Sequence, residues 1–438
     1  MMLNSNLFKS ALFKRLLVGS FWSVLGVASE KAITLASIIV VVRILGKENF
    51  GLFAILQSTL VMAGSFASLG LGVTATKHIA ELRFNDPARL ARILAMTQRF
   101  SFGAGLVLFI VLSVASPFIC LNILHQPELV QLLRLGAIAV VFNTIDGYQN
   151  GALLGFESVR KSAVGYFSAA LLGAPVSILL AHWFGIQGAV IGLVATALIR
   201  FFISTIILRD CLKAAGIVLD HQRWQLELGL FTRFALPSFI SGLVIAPAHW
   251  LCHMMLINSS GGKAEMAVLG VANQWYYSAL FIPLAANRVL LPVITDLFSQ
   301  RGNASSNRVA ILSVCANLAA MTPAVLFIWL ISPWIMAMYG ADYVAHAQVL
   351  VAAVAAAAVA SVLMPLGHVL TSRGKMWVGL RLNSMWALSY ISATYYLLDK
   401  GALGVMSGLL SAYVLHGMVT ALTVWFGVFR PEGRAPSL

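Results

Sequence analysis

Glu30 and Lys31 stand side by side near the middle of one apolar run, and Asp146 lies inside another. A charged side chain at the centre of a bilayer costs at least about 2.5–3.5 kcal/mol, so each of these needs a partner or a task. Ser23, Gly26, Glu30, Thr34 and Ser37 recur at spacings of three and four, which places a small, polar stripe on one helix face. Glu30 on that stripe is a candidate for carrying a coupling ion and Lys31 for meeting a phosphate; the plainer alternative is a local ion pair that only fixes helix packing. Asn143, Asp146 and Asn150 share a second face, with Gly147 and Gly151 beside them. Asp146 there reads as an ion-coupling group, a partner for sugar hydroxyls, or a hydrogen-bonded packing residue.

A third group lies further along the chain. Asn273, Gln274, Trp275, Tyr276 and Tyr277 cluster near one end of an apolar run, and Gln274, Ser278, Phe281, Ala285 and Arg288 form a stripe along it. Aromatic rings stack on sugar faces, amides bond sugar hydroxyls, and the planar fork of Arg288 suits a pyrophosphate. The competing reading is an interfacial aromatic belt with a snorkelling arginine. His249 and His253 are one turn apart between Pro237 and the following loop, with Pro247 beside them, but no third ligand accompanies them. They are expected to line a cavity or to be structural, and no metal site is expected. Arg43 and Arg200 lie nearer the ends of their apolar runs and are expected to snorkel.

These groups need elements to position them, and composition says which. Of 438 residues 60% are hydrophobic and only 10% charged, against about 25% charged in a soluble domain. Such a chain belongs in a bilayer, where a span takes about 20 mostly apolar residues and must be helical. Twelve spans are expected, over 16–42, 50–72, 98–121, 132–154, 162–184, 186–208, 233–257, 266–290, 309–331, 344–370, 376–398 and 402–428. The fold class is therefore an all-α, polytopic membrane protein. The first residues read as a short interfacial helix feeding the first span rather than a cleaved leader. Cys120, Cys211, Cys252 and Cys315 are scattered and read as small apolar residues.

The net charge of +14 would suggest nucleic acid in a soluble protein. Here the basic residues fall in short loops between spans, so no nucleic-acid partner is expected; anionic lipid headgroups and topology control are. With a cytoplasmic N-terminus, 22 of the 29 lysines and arginines lie inside, five outside (Arg43, Lys47, Arg134, Lys263, Lys400), and Lys31 and Arg200 within spans. Both termini are expected in the cytoplasm.

The chain also repeats itself. SPFI at 116–119 returns as SPWI at 332–335, GIQGAVIG at 185–192 returns as GALGVMSG at 401–408, and Arg92 corresponds to Arg308, all about 216 residues apart. An offset holding six spans leaves both halves in the same orientation, related by an axis along the membrane normal. The expected organisation is an N-terminal bundle over 1–208, a basic cytoplasmic linker over 209–232 and a C-terminal bundle over 233–438, with the transport pathway between the bundles.

Some chemistry is absent. There is no G-x-x-x-x-G-K-[ST] loop for ATP, no HExxH and no CxxC pair, and no loop is long enough for a soluble catalytic domain. No enzyme activity and no cofactor are expected.

Several local patterns resemble the polysaccharide transporter branch of the multidrug/oligosaccharidyl-lipid/polysaccharide flippase superfamily, and within it O-antigen flippases of the Wzx type. They are Ser20-Phe21-Trp22, the stretch RILGKENFGLFA at 43–54, LLGF at 153–156 followed by Arg160 and Lys161, and FGIQGA at 184–189. The resemblance covers nearly the whole chain. It implies two six-helix bundles in a V around a central cavity, and alternating-access transport of undecaprenyl-pyrophosphate-linked oligosaccharide, an O-antigen or exopolysaccharide repeat unit, across the bacterial inner membrane. It further implies proton or sodium coupling in some members, and polysaccharide assembly machinery as a partner. The cavity candidates are Lys31, Asn273, Gln274, Tyr277 and Arg288, with Glu30 and Asp146 as ion-coupling candidates. Rival expectations are a cation-coupled multidrug exporter of the same superfamily, which would favour acidic and aromatic groups over Lys31 and Arg288, and a flippase for the peptidoglycan lipid precursor.

Overall fold

The structure is a computed structural model and describes residues 4–67, 70–230, 243–373 and 375–426. The side chains of 4–27, 282, 285–289, 291–293, 295–305 and 376 lie outside that description. The described residues are helical almost throughout, with no strand among them. We number the principal helices α1 (Asn4–Ala67), α2 (Leu71–Leu82), α3 (Pro87–Phe118), α4 (Leu129–Gly155), α5 (Val159–Ala214), α6 (Ile245–Ile257), α7 (Gly262–Tyr339), α8 (Ala347–Ser372), α9 (Met376–Tyr396) and α10 (Gly401–Val424). Two compact units divide the chain, Met1–Ala246 and Pro247–Leu438.

Six stretches are each long and apolar enough to cross a membrane: Pro87–Ile123, Leu129–Gly155, Val159–Ala214, Ser306–Tyr339, Ala341–Ser372 and Leu398–Val424. Ala28–Ala67 and Leu71–Leu82 qualify together as a seventh, bent by 44°. Several expected spans share one helical run. α1 holds the first and most of the second, on either side of Gly46 (φ 72°, ψ 171°), and α5 holds the fifth and sixth, on either side of Gly185 (φ 57°, ψ −134°). α7 holds the eighth and ninth. At the start, α1 runs unbroken from Asn4 into the first span.

In the first unit α1 packs on α5, and α4 lies against both α3 and α5. α2 was not expected: the sequence reading leaves 73–97 as a loop. It starts after Gly70, whose φ of 66° turns the chain, and it buries Leu71, Thr74, Ala75, His78 and Ile79 against its neighbours. The contact with α4 is backbone on backbone. A Cβ on Gly72 would come within 2.7 Å of the Gly147 carbonyl oxygen, one on Gly151 would overlap Gly72, and Thr76 Oγ1 donates to Gly151 O at 2.7 Å. Small residues spaced by four are what such a close approach needs. In the second unit α8 packs against α7 and α10, and α9 against α10.

The basic stretch after α5 packs as an ordered arm on the first unit. Gly216 (φ 67°) ends α5, and Ile217, 5% exposed, enters the core with Leu208, Leu212 and Leu90. The backbone N–H of Asp220 reaches Ala91 O, and the N–H groups of Arg223 and Gln222 bond the Asp220 carboxylate, holding it below its ordinary range. Trp224 meets Phe100 edge-on at 6.0 Å, with the Arg99 guanidinium over its ring at 5.4 Å. Glu227, 6% exposed, bridges Arg89 and Arg92 of α3, each at 3.3 Å. A carboxylate this buried needs both cations, though the arginines keep some water contact. Glu227→Gln should therefore destabilise the first unit by about 1–2 kcal/mol. It should also open 215–230 to protease in the purified protein; cleavage unchanged from wild type would show that the ion pairs do not hold the arm.

Candidate functional site

The first unit concentrates its charge at one point. Asp146 projects from α4 beside two small neighbours, Gly147 and Gly151 of the same helix, and its side chain is 8% exposed. Arg200 Nε of α5 lies 3.0 Å from Asp146 Oδ2. Ser204, one turn beyond Arg200, donates to Asp146 Oδ1 at 2.8 Å. Tyr166, on the first half of α5, donates to Oδ2 at 3.3 Å, and its ring lies under the guanidinium carbon at 4.0 Å. One carboxylate thus receives two hydroxyl donors and a cation, and the cation also rests on an aromatic face. The break at Gly185 lets both halves of α5 contribute, Tyr166 from one and Arg200 from the other.

Glu30 and Lys31 form a second ion pair on α1, which packs on α5. Lys31 Nζ is 3.9 Å from Glu30 Oε1, with the lysine 37% and the glutamate 16% exposed. Two carboxylates and two cations therefore balance. A seam of neutral polar groups continues along α4 and α5: Gln149 Nε2 donates to Thr205 Oγ1 at 2.8 Å, and Ser162 Oγ to Asn150 Oδ1 at 3.2 Å. Asn143 is exposed and stands apart from it.

Arg200 corrects an expectation. Its position near a span end suggested snorkelling, but its guanidinium turns inward to Asp146. No local pattern separates the two outcomes, because the partner carboxylate lies 54 positions away in the sequence.

The second unit holds a different kind of site. Asn273 Nδ2 of α7 is 3.5 Å from His253 Nε2 of α6, and Tyr276 Oη is 2.9 Å from Tyr413 Oη of α10. Tyr277, 50% exposed, meets the Tyr276 ring edge-on at 5.1 Å. Trp275 Nε1 donates to Tyr339 Oη at 3.0 Å, and Gln274 is half-buried. His249 lies 5.2 Å from the Tyr390 ring and 5.5 Å from that of Trp386, both on α9. Asn273, Gln274 and Tyr277 therefore stand at the edge of a polar, aromatic cluster that the sequence showed only in part, because Trp386, Tyr390 and Tyr413 join it from distant segments. Arg288 is on α7, and its side chain lies outside the described residues. Among the described residues no group of three metal-ligating side chains occurs, and the four cysteines are free thiols.

Transporters of solved structure share this fold. A multidrug resistance MATE family transporter of the MOP superfamily, in an inward-facing conformation, superposes with a TM-score of 0.73 at 16% identity, covering 92% of this chain and 96% of that one. An outward-facing structure of a transporter so described gives 0.66 at 17% identity, over 96% and 97%. A MOP superfamily transporter from Pyrococcus furiosus, reported with reversed polarity of its binding pocket, gives 0.67 at 16% identity, over 94% and 95%. Two sequence relatives are named EPS I polysaccharide export inner membrane protein EpsE. That of Ralstonia nicotianae is 26% identical over 396 residues, 86% of this chain and 87% of the relative; that of Ralstonia solanacearum is 24% identical over 399 residues, with the same coverage. The family described as polysaccharide biosynthesis protein matches residues 16–298. That span is well over half of the chain, and the chain belongs to this family.

Proposed function

We propose that the chain is a flippase, not an enzyme, and that it carries lipid-linked oligosaccharide across the bacterial inner membrane by alternating access, with both termini in the cytoplasm. The observation that carries this reading is the balanced charge centre of Asp146, Arg200, Glu30 and Lys31. An unpaired cation in the bundle would be costly and an unpaired carboxylate would repel a phosphate; the paired state avoids both. When a pyrophosphate arrives, it competes with the carboxylates for the two cations, and the hydroxyls of Tyr166 and Ser204 keep Asp146 solvated meanwhile. The headgroup's charges and hydroxyls, which hydrocarbon cannot solvate, are replaced by protein partners, while the lipid tail stays in the bilayer.

Glu30 and Asp146 are also the carboxylates able to take a coupling cation. Neutralising either leaves the centre net positive and readier for an anion. Asn273, Gln274 and Tyr277 are suited to sugar hydroxyls and ring faces, and Arg288 would add a third cation for phosphate. The EpsE relatives are named for polysaccharide export, which supports an exopolysaccharide or O-antigen repeat unit as cargo, with assembly machinery downstream.

The test is a deletion strain in the source bacterium. Loss of surface polysaccharide with accumulation of its lipid-linked repeat unit, both restored by the wild-type gene, is the expected result. Normal polysaccharide with a gain in drug sensitivity would replace this reading with multidrug export. A deletion that cannot be made would point to the peptidoglycan precursor.

A further inference from the structure

His249 lies in a cage that no other part of the site accounts for. Its ring is 5.2 Å from Tyr390 (interplanar angle 67°), 5.5 Å from Trp386 and 6.1 Å from His253. Trp386 is 3% and Tyr390 0% exposed, and Trp386 packs in turn on Tyr413 at 5.3 Å. Three polar atoms in this cage are buried with no hydrogen-bond partner among the described residues: His249 Nδ1, Trp386 Nε1 and Tyr390 Oη. An orphaned buried donor or acceptor costs about 1–3 kcal/mol, and here three stand on neighbouring rings. The titratable groups facing His249 are His253 and Cys252 from its own helix and Tyr390 from α9, with Tyr413 and Tyr276 behind them. Among the described residues no carboxylate, Lys or Arg is in contact with its ring.

Such a cage suits one small ligand. The rings enclose each other's faces, so a sugar has no open face to stack on. With no carboxylate in it among the described residues, a sodium ion has no anionic oxygen ligand there. A proton fits: a neutral imidazole can accept one, and its cation is attracted by the faces of Trp and Tyr. A water molecule entering between the two orphaned ring nitrogens would accept from Trp386 Nε1 and donate to the Nδ1 lone pair.

We infer that His249 is a proton-binding site of the second unit, loaded and emptied through the aromatic cage of Trp386 and Tyr390, and that its occupancy is what makes transport depend on pH. The proton comes from water onto Nδ1, giving an imidazolium with two N–H donors, and returns to water when it leaves. The cage holds the neutral ring while closed to water and accepts the charge when water enters. Proton occupancy and cage opening are therefore linked, as any ligand is to the state that binds it better. The part about transport rests on the flippase reading; the binding site itself does not.

The experiment is a pH titration of tryptophan emission on the full-length protein in nanodiscs, comparing wild type, W386F and H249Q. An imidazolium quenches an adjacent indole far more than a neutral imidazole does. Wild type minus W386F isolates Trp386, and that difference should fall on acidification with a single midpoint; in H249Q the fall should be lost. A Trp386 signal flat across this range, or one that titrates unchanged in H249Q, overturns the proposal. Should H249Q fail to accumulate, H253Q, which keeps His249, decides: the fall should persist in it, and its loss would assign the proton to His253 and overturn the proposal. In cells, H249Q should lose the pH dependence of polysaccharide export; a dependence equal to wild type removes the link to transport. If the deletion strain keeps its polysaccharide, the flippase reading falls while the titration result stands.

Discussion

Arg200→Ala will damage the protein more than removing Arg200 and Asp146 together. The single change leaves Asp146 almost buried with only the hydroxyls of Ser204 and Tyr166 for company. Breaking a buried ion pair from one side costs about 3–5 kcal/mol; with Arg200 35% exposed, the cost here is nearer 2–3 kcal/mol. Asp146→Asn alone leaves a cation on the Tyr166 ring with Glu30 as its remaining counter-charge, and should cost less. The double variant Arg200→Met, Asp146→Asn removes both charges and should recover to within about 1 kcal/mol of wild type, because neither desolvation nor attraction remains. Export should not recover: without Arg200 the centre keeps one cation against Glu30 and has no affinity for a pyrophosphate. Melting temperatures in detergent and surface polysaccharide in the complemented deletion strain measure the two halves of this statement. Additive losses of stability in the double variant would mean that the pair is not coupled. Normal export from it would mean that the centre does not handle the cargo.

That contrast also shows what could be read without a structure. Helical class follows from composition, since only helices satisfy their backbone within lipid. Glu30, Lys31 and Asp146 stand out because charge is scarce in such runs, and the Glu30–Lys31 adjacency is a property of neighbouring positions. What sequence could not supply is the partner. Arg200 is 54 positions from Asp146, and Trp386 and Tyr390 are more than 130 from His249; a side chain near a span end looks the same whether it snorkels or turns in. α2 was missed for a related reason. Its apolar content is modest, and its place is set by glycine contacts with α4, which hydropathy does not register. The arm after α5 looked like a linker because it is basic and polar, yet Glu227 and Trp224 each find a place on α3 that only the fold provides.

The two units divide the chemistry between them. The first gathers opposite charges into a balanced set; the second gathers neutral hydroxyls, indoles and imidazoles. In the flippase reading we propose, the first set serves an anionic headgroup: it needs cations that stay paired when the cargo is absent, which the carboxylates provide.

The repeat carries the other large effect. Gly185 (φ 57°, ψ −134°) and Gly401 (φ 59°, ψ −136°) are 216 residues apart and share one backbone state, which residues with a Cβ adopt only under strain of about 1–3 kcal/mol. Three residues on, a Cβ at Gly188 would overlap the Leu180 carbonyl, and one at Gly404 would overlap that of Leu397. Four further, Gly192 faces Ser177 at 2.7 Å, and Gly408 faces Thr394 at 3.1 Å. Each unit thus makes the same sharp turn and then lays one helix directly on the backbone of the one before it. The serines of the other repeated motif agree: Ser116 Oγ bonds Ser113 O, and Ser332 Oγ bonds Trp329 O, each three residues back. Gly188→Ala and Gly404→Ala should each cost about 3 kcal/mol, because backbone must move and no flexible side chain can yield. Gly103→Ala and Gly367→Ala, where nothing lies within 4 Å of the new methyl, should be neutral or up to about 1 kcal/mol stabilising, as alanine is the better helix former. Folded yield and melting temperature of the four variants test this ordering. If Gly188→Ala and Gly404→Ala melt with the two controls, the repeat is a coincidence of small residues and the shared turn does not hold the bundles together.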